Sequence, residues 1–74
     1  MSKILVTGGS GFIGGELVNS LVKKGHEVIS FDILHNNKSS DFQQFNGSIL
    51  NPYDLDKAVK NCDMIVHLAA MVGV

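Results

Sequence analysis

Three glycines set the strongest constraint on what this chain can fold into. Gly8, Gly11 and Gly14 are spaced three apart. They follow an unbroken apolar run at 4–6 and open a stretch with helical periodicity. A continuous aliphatic run is typical of a strand that is buried on both faces, as in a parallel sheet. Gly8 permits a tight turn out of that strand, and Gly14 lets the following helix lie close to it.

The other predicted elements follow from apolar periodicity, helix caps and turn residues. They are a helix over 12–24, a strand over 28–32, a strand over 44–49, a helix over 52–61 and a strand over 64–68. Gly25, behind two lysines, is typical of a helix end, and Asn51 before Pro52 is typical of a helix start. This alternation predicts an α/β protein, a partial Rossmann fold in which helices cover both faces of a parallel sheet.

Size and charge exclude several classes of protein. The chain has 74 residues, with six basic against seven acidic side chains and a net charge of −1, so a nucleic-acid partner is not expected. No apolar stretch approaches the roughly 18 residues of a membrane helix. The single cysteine, Cys62, cannot form an internal disulfide, which favours a reducing compartment. We therefore expect one domain, located in the cytoplasm, with no membrane partner.

The glycine spacing also fits the phosphate-binding turn of a dinucleotide site. That fingerprint requires a strand before the glycines and a helix behind them, and both are predicted here. Gly11 would let the backbone approach a pyrophosphate, and the amide groups of Phe12 and Ile13 would point at it from the positive end of the helix dipole. Ser10 can add a hydroxyl donor. A glycine-rich turn without a ligand is the alternative that the spacing leaves open.

Asp32 supports the dinucleotide interpretation. It ends the second predicted strand, about twenty residues beyond the glycines, where an acidic side chain hydrogen-bonds ribose hydroxyl groups. A simple strand terminator is the alternative role. A carboxylate at this point repels the 2′-phosphate of NADP, so NAD is the predicted cofactor. NADP stays the less favoured alternative, because His35 and Lys38 lie close by in the sequence.

Three segments together resemble the amino-terminal third of an extended short-chain dehydrogenase/reductase. They are TGGSGFIG at 7–14, Phe31 with Asp32, and DMIVHLAA at 63–70. More narrowly, the chain is similar to the NAD-dependent nucleotide-sugar epimerase/dehydratase group. The resemblance covers essentially all of the sequence.

The resemblance implies further cofactor contacts. It places Leu68, Ala69 and Ala70, behind the fourth strand, beside the ribose on the nicotinamide side. Members of the family usually bind the adenine amino group with an aspartate near the end of strand three, but Ser48 occupies that position here. A hydroxyl contact from Ser48, with apolar packing from Ile49, is expected to replace the carboxylate. A plain loop role for Ser48 is the alternative.

No catalytic residue or metal ligand is predicted. Tyr53 and Lys57 match the spacing of the family's catalytic Tyr-x-x-x-Lys pair. The resemblance places that pair after a fifth strand, whereas these residues fall between strands three and four. His67, inside an apolar strand, is interpreted as a hydrogen-bonded core residue, and the three histidines lack the spacing of a metal site.

The leading expectation is therefore the NAD-binding, amino-terminal segment of an NAD-dependent nucleotide-sugar epimerase/dehydratase. Alone it would be inactive, because the catalytic and substrate-binding parts are expected outside residues 1–74. A full-length form would bind a nucleotide sugar and could form a homodimer. The alternatives are a non-enzymatic NAD(P)-binding regulatory or scaffold protein of the same fold, and an inactive truncated fragment.

Overall fold

The computed structural model describes residues 2–35 and 39–68 and confirms the predicted order of strands and helices. The elements are β1 (Lys3–Thr7), α1 (Phe12–Lys23), β2 (Glu27–Asp32), β3 (Gln43–Asn46), α2 (Pro52–Val59) and β4 (Met64–His67). The boundaries differ most at β3, which ends at Asn46 instead of Ile49, and at α2, which ends at Val59 instead of Asn61.

The four strands form one parallel sheet in the order β3-β2-β1-β4. Leu5 on β1 lies opposite Ile29 on β2 and Ile65 on β4, which fixes the register of the central strands. From β1 the chain first moves outward to β2 and β3, and then crosses back to the other side of β1. β2 and β3 thus lie on one side of β1, and β4 lies on the other. The strand order therefore reverses between β1 and β4. In open α/β sheets, ligands bind at such a point, outside the carboxyl ends of the strands.

Two apolar clusters hold the helices on opposite faces of the sheet, as predicted. Ile4 and Val6 pack with Val18 of α1 on one face. Leu5 packs on the other face with Ala58 of α2. Successive strand residues point to opposite faces, so both faces of β1 need apolar side chains. This explains why the run at 4–6 is continuous and does not alternate with polar residues.

Local signals end α1 and start α2 where the sequence predicted. Gly25 has a φ of 89°, and its N–H donates to the carbonyl of Val22 at 3.0 Å. A left-handed glycine of this kind closes a helix without steric cost. At α2, Asn51 Oδ1 accepts from the N–H groups of Tyr53 and Asp54 at 3.0 and 3.3 Å, so the asparagine caps the helix.

The glycine turn packs the start of α1 directly onto the sheet. Gly8 has a φ of 75°, which turns the chain sharply behind β1. A Cβ at position 14 would lie 2.1 Å from the carbonyl oxygen of Gly8, so the helix approaches the turn with backbone against backbone. A Cβ at position 9 would lie 2.1 Å from Ser30 Oγ on β2. The predicted packing role of Gly14 is confirmed, and Gly9 has a similar role that the sequence did not reveal.

The contrast between Gly14 and Gly15 yields a first prediction. Gly14→Ala must displace the backbone of the turn, so we expect it to lower the free energy of unfolding by about 1–3 kcal/mol. At position 15 a Cβ would meet only the Gly9 carbonyl oxygen at 3.8 Å, an ordinary contact. Gly15→Ala is therefore the matched control, and we expect it to raise stability by up to about 1 kcal/mol. Urea unfolding followed by circular dichroism measures both, and equal effects would contradict the packing.

Candidate dinucleotide site

A cavity of about 810 Å³ opens at the carboxyl edge of the sheet. Most of the predicted contact residues line it: Gly8, Gly11, Phe12, Ile13, Gly14, Asp32, Ser48, Ile49 and Leu68. Ser10 lies beside it and contacts Asp32. Ala69 and Ala70 lie outside the described residues. The volume is in the range of pockets that hold small molecules and cofactors.

One wall of the cavity is the amino-terminal end of α1. Gly11 is the N-cap, no side chain caps the helix, and its first turn carries no acidic residue. The first N–H groups of a helix have no partner within it, and they form the positive end of the helix dipole. Phe12 and Ile13 are 84% and 70% exposed at this end. The arrangement suits an anionic group such as a pyrophosphate.

Gly11 has a different structural environment from Gly14. A Cβ at position 11 would meet only the Gly8 carbonyl oxygen, at 3.4 Å, and the backbone is extended there, with φ of −74° and ψ of 174°. Packing within the protein therefore does not require glycine at this position. Because Gly11 has no side chain, a pyrophosphate could approach the backbone closely at this point. The residues present therefore fit a dinucleotide.

Asp32 lies at the end of β2 beside the glycine turn, and three hydrogen bonds orient its carboxylate. Ser10 Oγ donates to Asp32 Oδ2 at 2.6 Å, and the N–H of Ser10 donates to the same oxygen at 3.1 Å. The N–H of Ile33 donates to Oδ1 at 2.7 Å. The Ser10 hydroxyl, predicted as a phosphate donor, is thus directed at Asp32, and its contact with a phosphate stays a prediction.

These contacts keep Asp32 ionised. Burial raises the pKa of Asp32, but hydrogen bonds from the Ser10 side chain and from the backbone of Ile33 and Ser10, together with the charge of His35, outweigh it. The net pKa of Asp32 lies below its ordinary value. An ionised carboxylate is only an acceptor, so it suits ribose hydroxyl groups and disfavours a phosphate at the same point.

His35 is hydrogen-bonded on both sides of its ring. Its Nε2 lies 2.8 Å from Ser30 Oγ on β2, and its Nδ1 lies within hydrogen-bond distance of Asn46 Oδ1 at the end of β3. His35, which was named in support of the NADP alternative, is therefore hydrogen-bonded to Ser30 of β2 and Asn46 of β3. Lys38, the other residue named with that alternative, lies outside the described residues.

Ser48 lies in the turn behind β3 and has both a structural and a cavity-facing role. Its Oγ accepts from the N–H of Leu50 at 3.1 Å. Its own N–H donates to Asp54 Oδ2 at 3.2 Å, where Asp54 occupies the first turn of α2 as predicted. Ser48 and Ile49 both line the cavity, although the turn lies beyond the end of the strand in which they were predicted.

The remaining residues considered for a functional role do not line the cavity. Tyr53 is 77% exposed on α2, and neither it nor Lys57 lines the cavity. His67 is hydrogen-bonded as predicted, with Nδ1 2.8 Å from Thr7 Oγ1, but its side chain is exposed and the core placement was wrong.

Among the residues that the structure describes, no group of three or more His, Cys, Asp or Glu could hold a metal ion. In the same part of the chain, no helix is long and apolar enough to cross a membrane.

Sequence reasoning missed part of the cavity wall. Ile33 behind β2 and Leu50 behind β3 line the cavity and are 75% and 88% exposed. Gly47 and Phe31 also contribute. The positions of Ile33 and Gly47 directly behind neighbouring parallel strands were the available signal, because ligands bind outside the carboxyl ends of such strands.

The parallel four-stranded sheet with helices on both faces defines a Rossmann-like fold. The chain belongs to the NAD dependent epimerase/dehydratase family, whose sequence profile matches residues 4–74. The resemblance given by the glycine turn, Asp32 and the fourth strand is thereby confirmed.

Individual relatives agree with this assignment. The chain is 38% identical, over 97% of its length, to UDP-N-acetyl-alpha-D-glucosaminuronate decarboxylase of Bacillus cytotoxicus, and covers 25% of it. It is 40% identical, over 97% of its length, to 3-beta-hydroxysteroid dehydrogenase of Mycolicibacterium neoaurum, and covers 20% of it. The structure of MoeE5 in complex with UDP-glucuronic acid and NAD matches 97% of this chain and 24% of MoeE5, with a TM-score of 0.81 and 36% identity. The chain thus spans a quarter or less of these relatives.

The lowered pKa of Asp32 predicts how stability depends on pH. A carboxylate whose pKa is lower in the folded state stabilises the fold above its unfolded pKa, and this contribution is lost as the pH falls through the folded value. We expect Asp32→Asn to lower the urea midpoint at about pH 7, and the gap to wild type to narrow at about pH 3. Asp41→Asn, which removes an exposed carboxylate, is the matched control. A gap that widens in acid would contradict the assignment.

Proposed function

We propose that this chain is the NAD-binding segment of an NAD-dependent nucleotide-sugar epimerase or dehydratase. One observation carries the proposal: the uncapped start of α1 and the oriented carboxylate of Asp32 line the same cavity at the carboxyl edge of the sheet. When bound in a complete enzyme, NAD accepts and returns a hydride. The role of this chain's residues is to hold and orient the cofactor.

In the proposed binding mode the pyrophosphate lies against Gly11 and accepts from the N–H groups of Phe12 and Ile13. The hydroxyl groups of the adenosine ribose donate to Asp32. Oδ2 already accepts two hydrogen bonds from Ser10 whereas Oδ1 accepts one from Ile33, so Oδ1 has the more accessible lone pair.

The two ends of the dinucleotide are assigned to opposite ends of the cavity. The adenine packs on Ile49 and meets Ser48, on the side of β3. The nicotinamide ribose lies beside Leu68, behind β4, with Ala69 and Ala70 assigned to the same contact from the family resemblance. Leu68 is fixed at this edge because its N–H donates to Thr7 Oγ1 at 3.0 Å. This orientation directs the reactive ring toward the β4 side of the sheet.

The proposed substrate class, a nucleotide sugar, is inferred from the names and ligands of relatives. The decarboxylase from Bacillus cytotoxicus is named for a UDP-sugar, and MoeE5 was solved with UDP-glucuronic acid and NAD. We assign sugar binding, catalysis and the surfaces of a homodimer to a full-length protein, of which this chain would be the cofactor-binding part. The chain alone is expected to be inactive. The cytoplasm is the proposed location.

Calorimetric titration tests the binding claim. We expect NAD to bind more tightly than NADP by about tenfold, because Asp32 is ionised and faces the ribose. We expect Gly11→Ala to weaken NAD binding by about tenfold, since its Cβ intrudes where the pyrophosphate approaches. Gly15→Ala, in the first turn of α1 and outside the cavity lining, is the matched control and should bind NAD as wild type does. Absence of NAD binding, or equal binding by both variants, would overturn the proposal.

A further inference from the structure

Ser10 belongs to the glycine turn, and both of its hydrogen-bond donors contact the neighbouring strand. Its hydroxyl donates to Asp32 Oδ2 at 2.6 Å, and its N–H donates to the same oxygen at 3.1 Å. Hydrogen bonds to an ionised acceptor are shorter and stronger than those between neutral groups. A single residue therefore holds one oxygen of the carboxylate through two donors, and the contact joins the turn behind β1 to the end of β2.

The backbone that precedes Ser10 is fixed against β2. The N–H of Gly8 donates to the carbonyl of Phe31 at 2.8 Å. A Cβ at position 9 would lie 2.1 Å from Ser30 Oγ, so Gly9 packs closely on the same strand. Because both contacts involve β2, the donors of Ser10 are held beside the end of that strand, although Ser10 itself is exposed.

The two oxygens of Asp32 are used unequally. Oδ2 accepts two hydrogen bonds from Ser10, and Oδ1 accepts one from the N–H of Ile33 at 2.7 Å. Each oxygen of a carboxylate has two lone pairs, so Oδ1 can accept one more hydrogen bond. Asp32 lines the cavity, whereas Ser10 is not among the lining residues. A ligand in the cavity would therefore meet Oδ1 and would be affected by the Ser10 hydroxyl through Asp32.

A carboxylate that is held in place distinguishes a hydroxyl group from a phosphate more strongly than a mobile one. Its acceptor oxygen is already oriented, so a ribose hydroxyl binds without the cost of ordering the side chain. Its negative charge also cannot turn away from a phosphate on the same ribose. Burial raises the pKa of Asp32, and the Ser10 hydroxyl is the largest of the influences that lower it below its ordinary value, so the charge is retained.

We propose that Ser10 is a positioning residue that sets the preference of this site for NAD over NADP. Its hydroxyl holds Asp32 Oδ2, so that Oδ1 meets the ribose hydroxyl groups and the negative charge stays opposed to a 2′-phosphate. This role differs from the phosphate contact predicted from the sequence, because Ser10 acts through Asp32. The inference rests on the proposed NAD site and adds the residue that gives Asp32 its selectivity.

Calorimetric titration of Ser10 variants with NAD and with NADP tests this role. We expect Ser10→Ala to weaken NAD binding by about fivefold and to lower the preference for NAD from about tenfold to about twofold, because Asp32 can then turn away from the 2′-phosphate. Ser10→Thr keeps the hydroxyl and should keep the preference. Ser20→Ala, which removes an exposed hydroxyl from α1, is the matched control and should bind as wild type does. Circular dichroism checks that each variant is folded.

Titration of the Asp32 carboxyl group by ¹³C NMR follows the same contact without a ligand. Ser10→Ala removes a hydrogen bond to the ionised form, so we expect the pKa of Asp32 to rise, whereas Ser10→Thr should leave it as in wild type. An unchanged pKa in Ser10→Ala would overturn the inference.

A double variant shows whether Ser10 acts through Asp32. Once Asp32→Asn has removed the charge, we expect the addition of Ser10→Ala to leave the ratio of NAD to NADP affinity unchanged, because the two residues form one unit. A further fall in that ratio would contradict a role through Asp32.

The outcomes separate this inference from the function on which it rests. If Ser10→Ala weakens NAD and NADP by the same factor, the NAD site stands, but Ser10 contacts the dinucleotide directly and its positioning role is overturned. A Ser10→Ala protein that binds both dinucleotides as wild type does overturns that role as well. If wild type binds neither dinucleotide, the proposed function itself fails, and the cofactor preference fails with it.

Discussion

The site depends on the contact between the backbone of Gly8 and the start of α1 at Gly14. A side chain at position 14 would collide with the Gly8 carbonyl oxygen, which it would approach to 2.1 Å. The contact brings the amino-terminal end of α1 onto the carboxyl end of β1. The positive end of the helix dipole therefore faces the cavity and is not covered by a side-chain cap. The glycines thus set both the packing of the helix and the charge of the cavity wall.

The topology of the sheet places the negative charge of Asp32 near the positive, amino-terminal end of α1. Because β1 pairs in parallel with β2, the end of β2 carries Asp32 to the same edge as Gly8. The N–H of Gly8 donates to the carbonyl of Phe31 at 2.8 Å, so the turn and the acidic residue are joined through adjacent backbone. Ser10 then fixes the carboxylate itself. The cavity consequently has a positive wall at the start of α1 and a negative one at Asp32.

Features set by local sequence were predictable, and those set by contacts between elements were not. The turn at Gly8, the helix end at Gly25 and the cap at Asn51 depend on neighbouring residues, and all three were found where expected. The hydrogen bond from Ser10 to Asp32 and the packing of Gly9 join residues about twenty apart, so no periodicity reveals them.

The end of the third strand was likewise not predictable from local sequence. Its predicted end at Ile49 came from apolar character, but parallel pairing with β2 stops at Asn46, opposite Asp32. Ile49 instead lies in the turn behind β3, where it lines the cavity and also packs against the core cluster that contains Leu5 and Ala58. An apolar residue beyond a strand end can serve a binding site as well as a core, and sequence alone did not separate the two. The turn behind β3 was therefore the least predictable part of the cavity wall.

We propose that the glycine turn, Asp32 and the turn behind β3 together form one dinucleotide site. The most direct measurement is a map of backbone amide shifts of the ¹⁵N-labelled chain as NAD is added. We expect the shifts to concentrate at 8–14, 31–33 and 47–50, and to spare the far end of α1 at 20–25. Shifts confined to one of the three segments, or spread equally over both ends of α1, would contradict it.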